Sequence, residues 1–248
     1  MTAPVLPGAE PFSAPGGPHG ALVVHGFTGS PQSMRGLAER FAAAGFAVEL
    51  PLLPGHGTTL EDMGTTGWDD WAAAAELAYV ELASRCTKVV VAGLSMGGTI
   101  TCWLAERHPE IAGIVCINPA VEPALPDVRS AVAAAGSAVL PAIGSDIAAP
   151  DQTELAYDGM PAACLLSLFD GQEEVAPALG DIRCPVLVFT SRQDHVVPTT
   201  ASELLVGRAA GPVEHVWLER SFHAATLDYD RDDINTASVA FARRVTAG

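Results

Sequence analysis

Short apolar runs alternate with helical stretches along most of the chain. That alternation restricts it to a mostly parallel sheet covered by helices on both faces. Ala21–His25 (ALVVH) is an apolar run that stops at Gly26, as a buried strand does. Ser33–Ala44 has helical spacing, with Ser33 placed to cap it and Gly45 to end it. Phe46–Leu50 reads as a strand closed by Pro51, and Trp68–Ser84 as a long alanine-rich helix. Lys88–Leu94 (KVVVAGL) is a further strand, Gly97–Arg107 a helix stopped by Pro109, and Ile111–Ile117 a strand. From Asn118 to about Gly180 the pattern lapses into a stretch rich in Pro, Ala and Gly with no evident strand. It resumes as a strand at Val186–Thr190, a helix at Thr199–Gly207, a strand at Val213–Leu218 and a helix at Arg231–Val245. Repeated strand–helix units of this kind define the α/β class. The irregular stretch reads as an insertion between two strands, and one this long is more often a functional excursion than a linker. The first twenty residues read as an irregular, Pro/Gly-rich lead-in.

With 248 residues, one large domain is expected. A chain of that length buries about 70–75% of the surface it exposes when unfolded, so it needs no disulfide or metal staple. Hydrophobic residues make up 49%, which excludes a disordered chain. The net charge of −16 argues against nucleic-acid partners and against electrostatic docking on anionic lipid. The five cysteines, Cys86, Cys102, Cys116, Cys164 and Cys184, show no CxxC spacing and read as reduced thiols. A reducing, cytoplasmic compartment fits. No signal peptide is expected from MTAPVLPGAE, which lacks a basic side chain and an apolar block.

The strongest chemical signal is Gly93-Leu94-Ser95-Met96-Gly97-Gly98, a G-x-S-x-G placed between an expected strand and an expected helix. A nucleophile elbow requires that context, because it holds the serine at a sharp, strained turn with its hydroxyl projecting. A Cβ at Gly93 or Gly97 would collide with the turn. A serine needs a base. His195, His215 and His223 lie downstream of Ser95, as the base does in this chain order. His215 falls inside a strand, and His195 directly follows Asp194. His223, in the loop after the last strand, is the expected base, and Asp194, after the preceding strand, the expected orienter. Asp170, in the irregular stretch, is the runner-up acid. Two N–H donors should meet the developing oxyanion: that of Met96, after the nucleophile, and that of Phe27, in the His25-Gly26-Phe27-Thr28-Gly29 loop. His25 and His56 read as hydrogen-bonded braces. No metal-ligand spacing, P-loop lysine or strand-linked G-x-G-x-x-G is found, so cofactor-free chemistry is expected, unaffected by chelators. A histidine base places the rise of activity at about pH 6–7.

At these residues the chain resembles an α/β-hydrolase, and more narrowly the bacterial monoacylglycerol lipase and small carboxylesterase family. The resemblance is carried by GAEPF (Gly8–Phe12), LVVHGFTGSPQSMRGLAE (Leu22–Glu39), PGHGTTLEDM (Pro54–Met63) and GLSMGGT (Gly93–Thr99). It continues with IGSD (Ile143–Asp146), ELAYDGMP (Glu154–Pro161), DHVVP (Asp194–Pro198) and HAATLDYD (His223–Asp230). The motifs in the insertion are the specific ones. Phe222 is a departure, since many relatives have Gly or Tyr before the histidine. The resemblance implies a core at 1–118 and 181–248 with a cap at 119–180. It implies a Ser95–Asp194–His223 triad with the amides of Phe27 and Met96 as oxyanion hole. It also implies a glycerol-binding role for Glu154 and a place for Ile143 near the mouth of an acyl tunnel. The partner it implies is a small lipid ester; transient contact of the alanine-rich insertion with a lipid surface is a separate expectation. A broad carboxylesterase or thioesterase, and a non-catalytic binding module on the same fold, are the alternatives. The second would need a missing triad member, and none is missing.

Overall fold

The computed structural model describes residues 3–247. Residues 1, 2 and 248, which the expected core limits include, lie outside them. In chain order the elements are β1 (Phe12–Ala14), β2 (His19–Val24), α1 (Gln32–Ala43), β3 (Ala47–Leu50), α2 (Leu60–Met63), α3 (Trp68–Arg85), β4 (Lys88–Leu94), α4 (Met96–Arg107) and β5 (Gly113–Ile117). After them come α5 (Pro126–Ala134), β6 (Val139–Pro141), β7 (Gly159–Pro161), α6 (Ala162–Ala178), β8 (Val186–Ser191), α7 (Thr199–Arg208), β9 (Val213–Leu218) and α8 (Arg231–Thr246). The main sheet has seven strands in the order β1-β3-β2-β4-β5-β8-β9. All its pairs are parallel except that of β1 with β3.

The central strands are apolar on both faces because both faces are covered. Leu22, Val24, Val89, Val91, Ile114, Cys116, Val186 and Val188 pack on one side with Trp71, Tyr79 and Leu104 of α3 and α4. Ala21, Val23, Val90, Leu94, Val115, Ile117, Leu187 and Phe189 pack on the other with Phe41 of α1 and Phe241 of α8. From β2 the chain steps to β3, then returns across β2 to β4. Right-handed crossovers therefore put α1 and α3 on opposite faces, and the strand order reverses at β2 and β4. Crevices form at such a reversal, at the carboxyl ends of the strands.

Three expectations are corrected. The lead-in is not wholly irregular, since Phe12–Ala14 adds an edge strand to β3, with Phe12 opposite Leu50. Ser33 does not cap α1. The helix starts at Gln32, and the buried Ser33 donates its hydroxyl to the Ser30 carbonyl. The insertion between the neighbouring strands β5 and β8 is not structureless. It holds α5, the antiparallel pair β6–β7, and the 17-residue α6. That helix packs Leu168 and Val175 into the same buried cluster as Trp68 and Trp71. A Cβ on its Gly171 would lie 2.2 Å from the Trp68 indole, so the close contact requires glycine.

Candidate active site

Sheet register gathers the site. Val24 pairs with Gly93, and Leu94 with Ile117. Ile117 pairs with Phe189, and Ser191 with Leu218. The residues that follow these strand ends, Gly26, Ser95, Asn118, Asp194 and His223, thus emerge side by side.

Ser95 joins β4 to α4 with φ 56° and ψ −118°. A non-glycine residue in such a region costs on the order of 1–3 kcal/mol, which the surrounding structure must impose. Among the described residues, Thr28, Ser95 and Asn118 are the non-glycines with positive φ, and they lie just past the carboxyl ends of β2, β4 and β5. The turn is as tight as expected. A Cβ on Gly93 would come within 2.0 Å of the Gly97 carbonyl oxygen, and one on Gly97 within 2.2 Å of the Val24 carbonyl oxygen. Ser95 keeps partial exposure between buried neighbours. Met96 opens α4, so its N–H is one of the four that a helix leaves without an internal partner.

The loop after β2 lies against this turn. A Cβ on Gly26 would stand 3.4 Å from the Ser95 Cβ. His25, fully buried, holds the loop: its Nε2 accepts the Leu53 N–H at 3.1 Å, so its Nδ1–H donates to the Gly26 carbonyl at 2.9 Å. Burial, reinforced by the neighbouring His56, lowers its pKa to about 3. Burial likewise lowers the pKa of His56 to about 4, and its Nδ1–H donates to the Pro54 carbonyl. Both rings stay neutral at working pH and serve as braces.

Asp194 and His223 meet at 2.8 Å, Oδ2 to Nδ1, with side chains 2% and 11% exposed. The other carboxylate oxygen of Asp194 accepts the N–H groups of Val196 and Val197, each at 2.8 Å. One aspartate thus shapes its own turn and fixes the imidazole tautomer. Nδ1 carries the proton facing Asp194, and Nε2 is left as an acceptor. Burial acts to lower the His223 pKa. The Asp194 hydrogen bond and charge, with the nearby Glu154 and Asp146, outweigh it, and the pKa is raised above 6.5. The expected rise of activity moves upward accordingly.

Glu154 reaches from the insertion to the loop after β2. Its Oε1 lies 3.0 Å from where a Gly29 Cβ would sit. Burial raises its pKa, against the opposing influence of His223 and Ser33. Ile143 is 57% exposed on the segment after β6. Asp170 pairs with Arg129 on the surface of the insertion instead of with a histidine. His215 lies on the edge strand β9, its Nε2 2.8 Å from the Thr190 hydroxyl.

Sequence reasoning missed Asn118. Its Nδ2 donates to the His223 carbonyl at 2.8 Å and to the Ser191 hydroxyl at 3.0 Å, while its Oδ1 accepts the Ser191 N–H at 2.7 Å. It ties the end of β5, beside Ser95, to the loop of His223. The available signal was a polar residue directly after the apolar run of β5. Asp228, also missed, is fully buried and accepts four backbone N–H groups, from Ala148, Ala149, Phe222 and Tyr229.

A family profile described as serine aminopeptidase, S33, matches residues 18–230. The chain belongs to that family. This S33 member is 48% identical over 241 residues to a thermostable monoacylglycerol lipase of Bacillus sp. (strain H-257), covering 96% of each chain. It is 26% identical over 239 residues to a carboxylesterase of Bacillus subtilis (strain 168), covering 95% of this chain and 97% of the relative. Its structure is similar to one reported for the metagenome-derived lipolytic enzymes LipS and LipT, with a TM-score of 0.93 at 45% identity over 97% of this chain and 100% of the other. A monoacylglycerol lipase of Paleococcus ferrophilus shares the fold, with a TM-score of 0.81 at 21% identity over 96% of this chain and 100% of the other. The S33 protein is thus an enzyme of the hydrolase class with the α/β-hydrolase fold. Among the described residues no helix is long and apolar enough to cross a membrane.

Proposed function

We propose that the protein hydrolyses monoacylglycerols to fatty acid and glycerol, with Ser95 as nucleophile, His223 as general base and Asp194 as its orienter. Residues 119–180 act as a cap on a core formed by 1–118 and 181–248. The Nε2 of His223 takes the Ser95 proton as Oγ attacks the ester carbonyl. The imidazolium that forms is stabilised by Asp194. The amides of Phe27 and Met96 hold the oxyanion, each such donor contributing about 10²–10³ in rate. Glycerol departs with the proton from His223 Nε2. Water then repeats the sequence on the acyl-enzyme. No step calls for a metal or cofactor. Ile143 stands at the mouth through which the acyl chain enters.

The observation that carries the substrate is Glu154. A largely desolvated carboxyl group from the cap, between the Gly29 turn and His223, is positioned to accept a hydrogen bond from a glycerol hydroxyl. The identity to a monoacylglycerol lipase supports the same substrate. The test is a panel of mono-, di- and triacylglycerols and methyl esters of one chain length, run on the wild type and Glu154→Ala where His223 is neutral in both. A hydrogen bond to a charged group is worth about 1.5–3 kcal/mol, so kcat/KM for the monoacylglycerol should fall roughly 10–150-fold. The methyl ester should be unchanged. A parallel loss on both esters would leave the broader carboxylesterase reading in its place.

The cap also exposes Leu125 (70%), Val128 (47%), Val139 (56%) and Ile143 (57%). With a net charge of −16, its transient lipid contact is with neutral or zwitterionic surfaces. Cosedimentation with phosphatidylcholine vesicles should weaken when Leu125 and Val139 become serine, and binding that persists unchanged would reject this contact.

A further inference from the structure

Asp146 lies in the insertion between β6 and β7, 49 residues from His195 and 77 from His223. Its carboxylate nevertheless touches the loops of both catalytic partners. Oδ2 accepts the backbone N–H of His223 at 3.0 Å and that of His195 at 3.2 Å. Oδ1 is 2.8 Å from His195 Nδ1, and the Asp146 carbonyl accepts the Ala224 N–H at 3.1 Å. The side chain is only 10% exposed. Directly beyond it, the buried Asp228 clamps Ala148 and Ala149 to Phe222.

We propose that Asp146 is a positioning residue of the reaction: the insertion places its carboxylate between the Asp194 and His223 loops, where it seats the imidazole and adds a negative charge beside it. The inference rests on His223 acting as general base. It makes this part of the cap a component of the catalytic geometry as well as a cover. The groups that face His223 are Asp194 from the loop after β8, and Asp146 and Glu154 from the insertion. His195 pairs with Asp146, and the Glu154 carboxylate also feels its charge. Each nearby negative charge favours the imidazolium, so removing one lets His223 lose its proton at lower pH.

Asp146→Asn keeps an oxygen for the two backbone N–H groups but removes the charge. Asp146→Ala removes both. The measurements are kcat and KM on a methyl ester from about pH 5 to 9, with thermal unfolding of each variant. Asp146→Asn should keep its plateau kcat within about threefold, while the acid inflection of kcat/KM falls by about 0.5–1 pH unit. Asp146→Ala should lose about 10–100-fold in kcat with little change in KM, the cost of a base displaced by an ångström or so. An unmoved inflection in Asp146→Asn overturns the proposal, whether or not Asp146→Ala folds. A plateau kcat retained by Asp146→Ala overturns the seating role. Ser95→Ala and His223→Ala run alongside. Activity in either defeats the catalytic reading itself, whereas two inactive variants with an unmoved Asp146→Asn profile defeat only the role of Asp146.

Discussion

Ser95→Ala is expected to lower kcat by about 10⁴–10⁶ while leaving the unfolding midpoint close to that of the wild type. The elbow is built by Gly93, Gly97 and the strand register, and none of these depends on the hydroxyl. Alanine bears a Cβ like serine, so the strained turn at φ 56° is neither relieved nor worsened. Members of a triad act as a unit. His223→Ala should therefore cost a similar factor, and the double variant little more than either single one. Steady-state turnover of a saturating ester checks this. A Ser95→Ala enzyme with more than roughly a tenth of wild-type turnover would remove Ser95 from the nucleophile's role.

Asp194→Asn should cost about 10⁴ in kcat with the fold retained. Asparagine can still accept the Val196 and Val197 N–H groups through its carbonyl oxygen, so the turn survives. Its amide then faces His223 Nδ1 as a donor. The imidazole is pushed to the tautomer that carries its proton on Nε2, where no lone pair is left to receive the Ser95 proton. Losing the carboxylate also lowers the His223 pKa, so no shift toward alkaline pH recovers the rate. Asp194→Ala should lose the turn as well and unfold at lower temperature. Equal turnover of Asp194→Asn and wild type would show that the carboxylate does not orient the base.

The sequence made the sheet legible because its central strands are buried on both faces, and a run such as KVVVAGL has few other ways to fold. The elbow was legible because its glycines serve a local backbone need that shows in neighbouring positions. Edge strand β1 was hidden because three half-exposed residues carry no alternation long enough to read. Helix α6 was obscured by Pro177, by Gly171, and by apolar residues on more than one of its faces. Ser33 looked like a cap, but Pro31, with φ −50°, already starts the helical turn. Asn118, Asp146 and Asp228 each act as single polar residues with partners far along the chain, Asp228 through Ala148 and Ala149. Asn118 reaches Ser191 across 73 residues and His223 across 105, and no periodic pattern encodes such pairings.

The insertion is fastened unevenly. Tyr157 donates its N–H to the Thr28 carbonyl, Ser30 donates to the Leu155 carbonyl, and Gln32 brackets Thr153 and Leu155. Residues 153–157 are thereby bound to the loop after β2, and residues 146–149 are held to the His195 and His223 loops by Asp146 and Asp228. The hydrogen bonds of α5 and β6 instead close within the insertion, on β7 and α6, as do the ion pairs of Arg129 with Asp170 and Glu173. In evolutionary terms the two parts should drift under different constraints. Substitutions on α5 should therefore leave the hydrogen bonds that hold Asp146 and the Glu154 stretch in place. Change should be tolerated there more readily than in the neighbouring stretch, which is held to the loops of Thr28, His195 and His223.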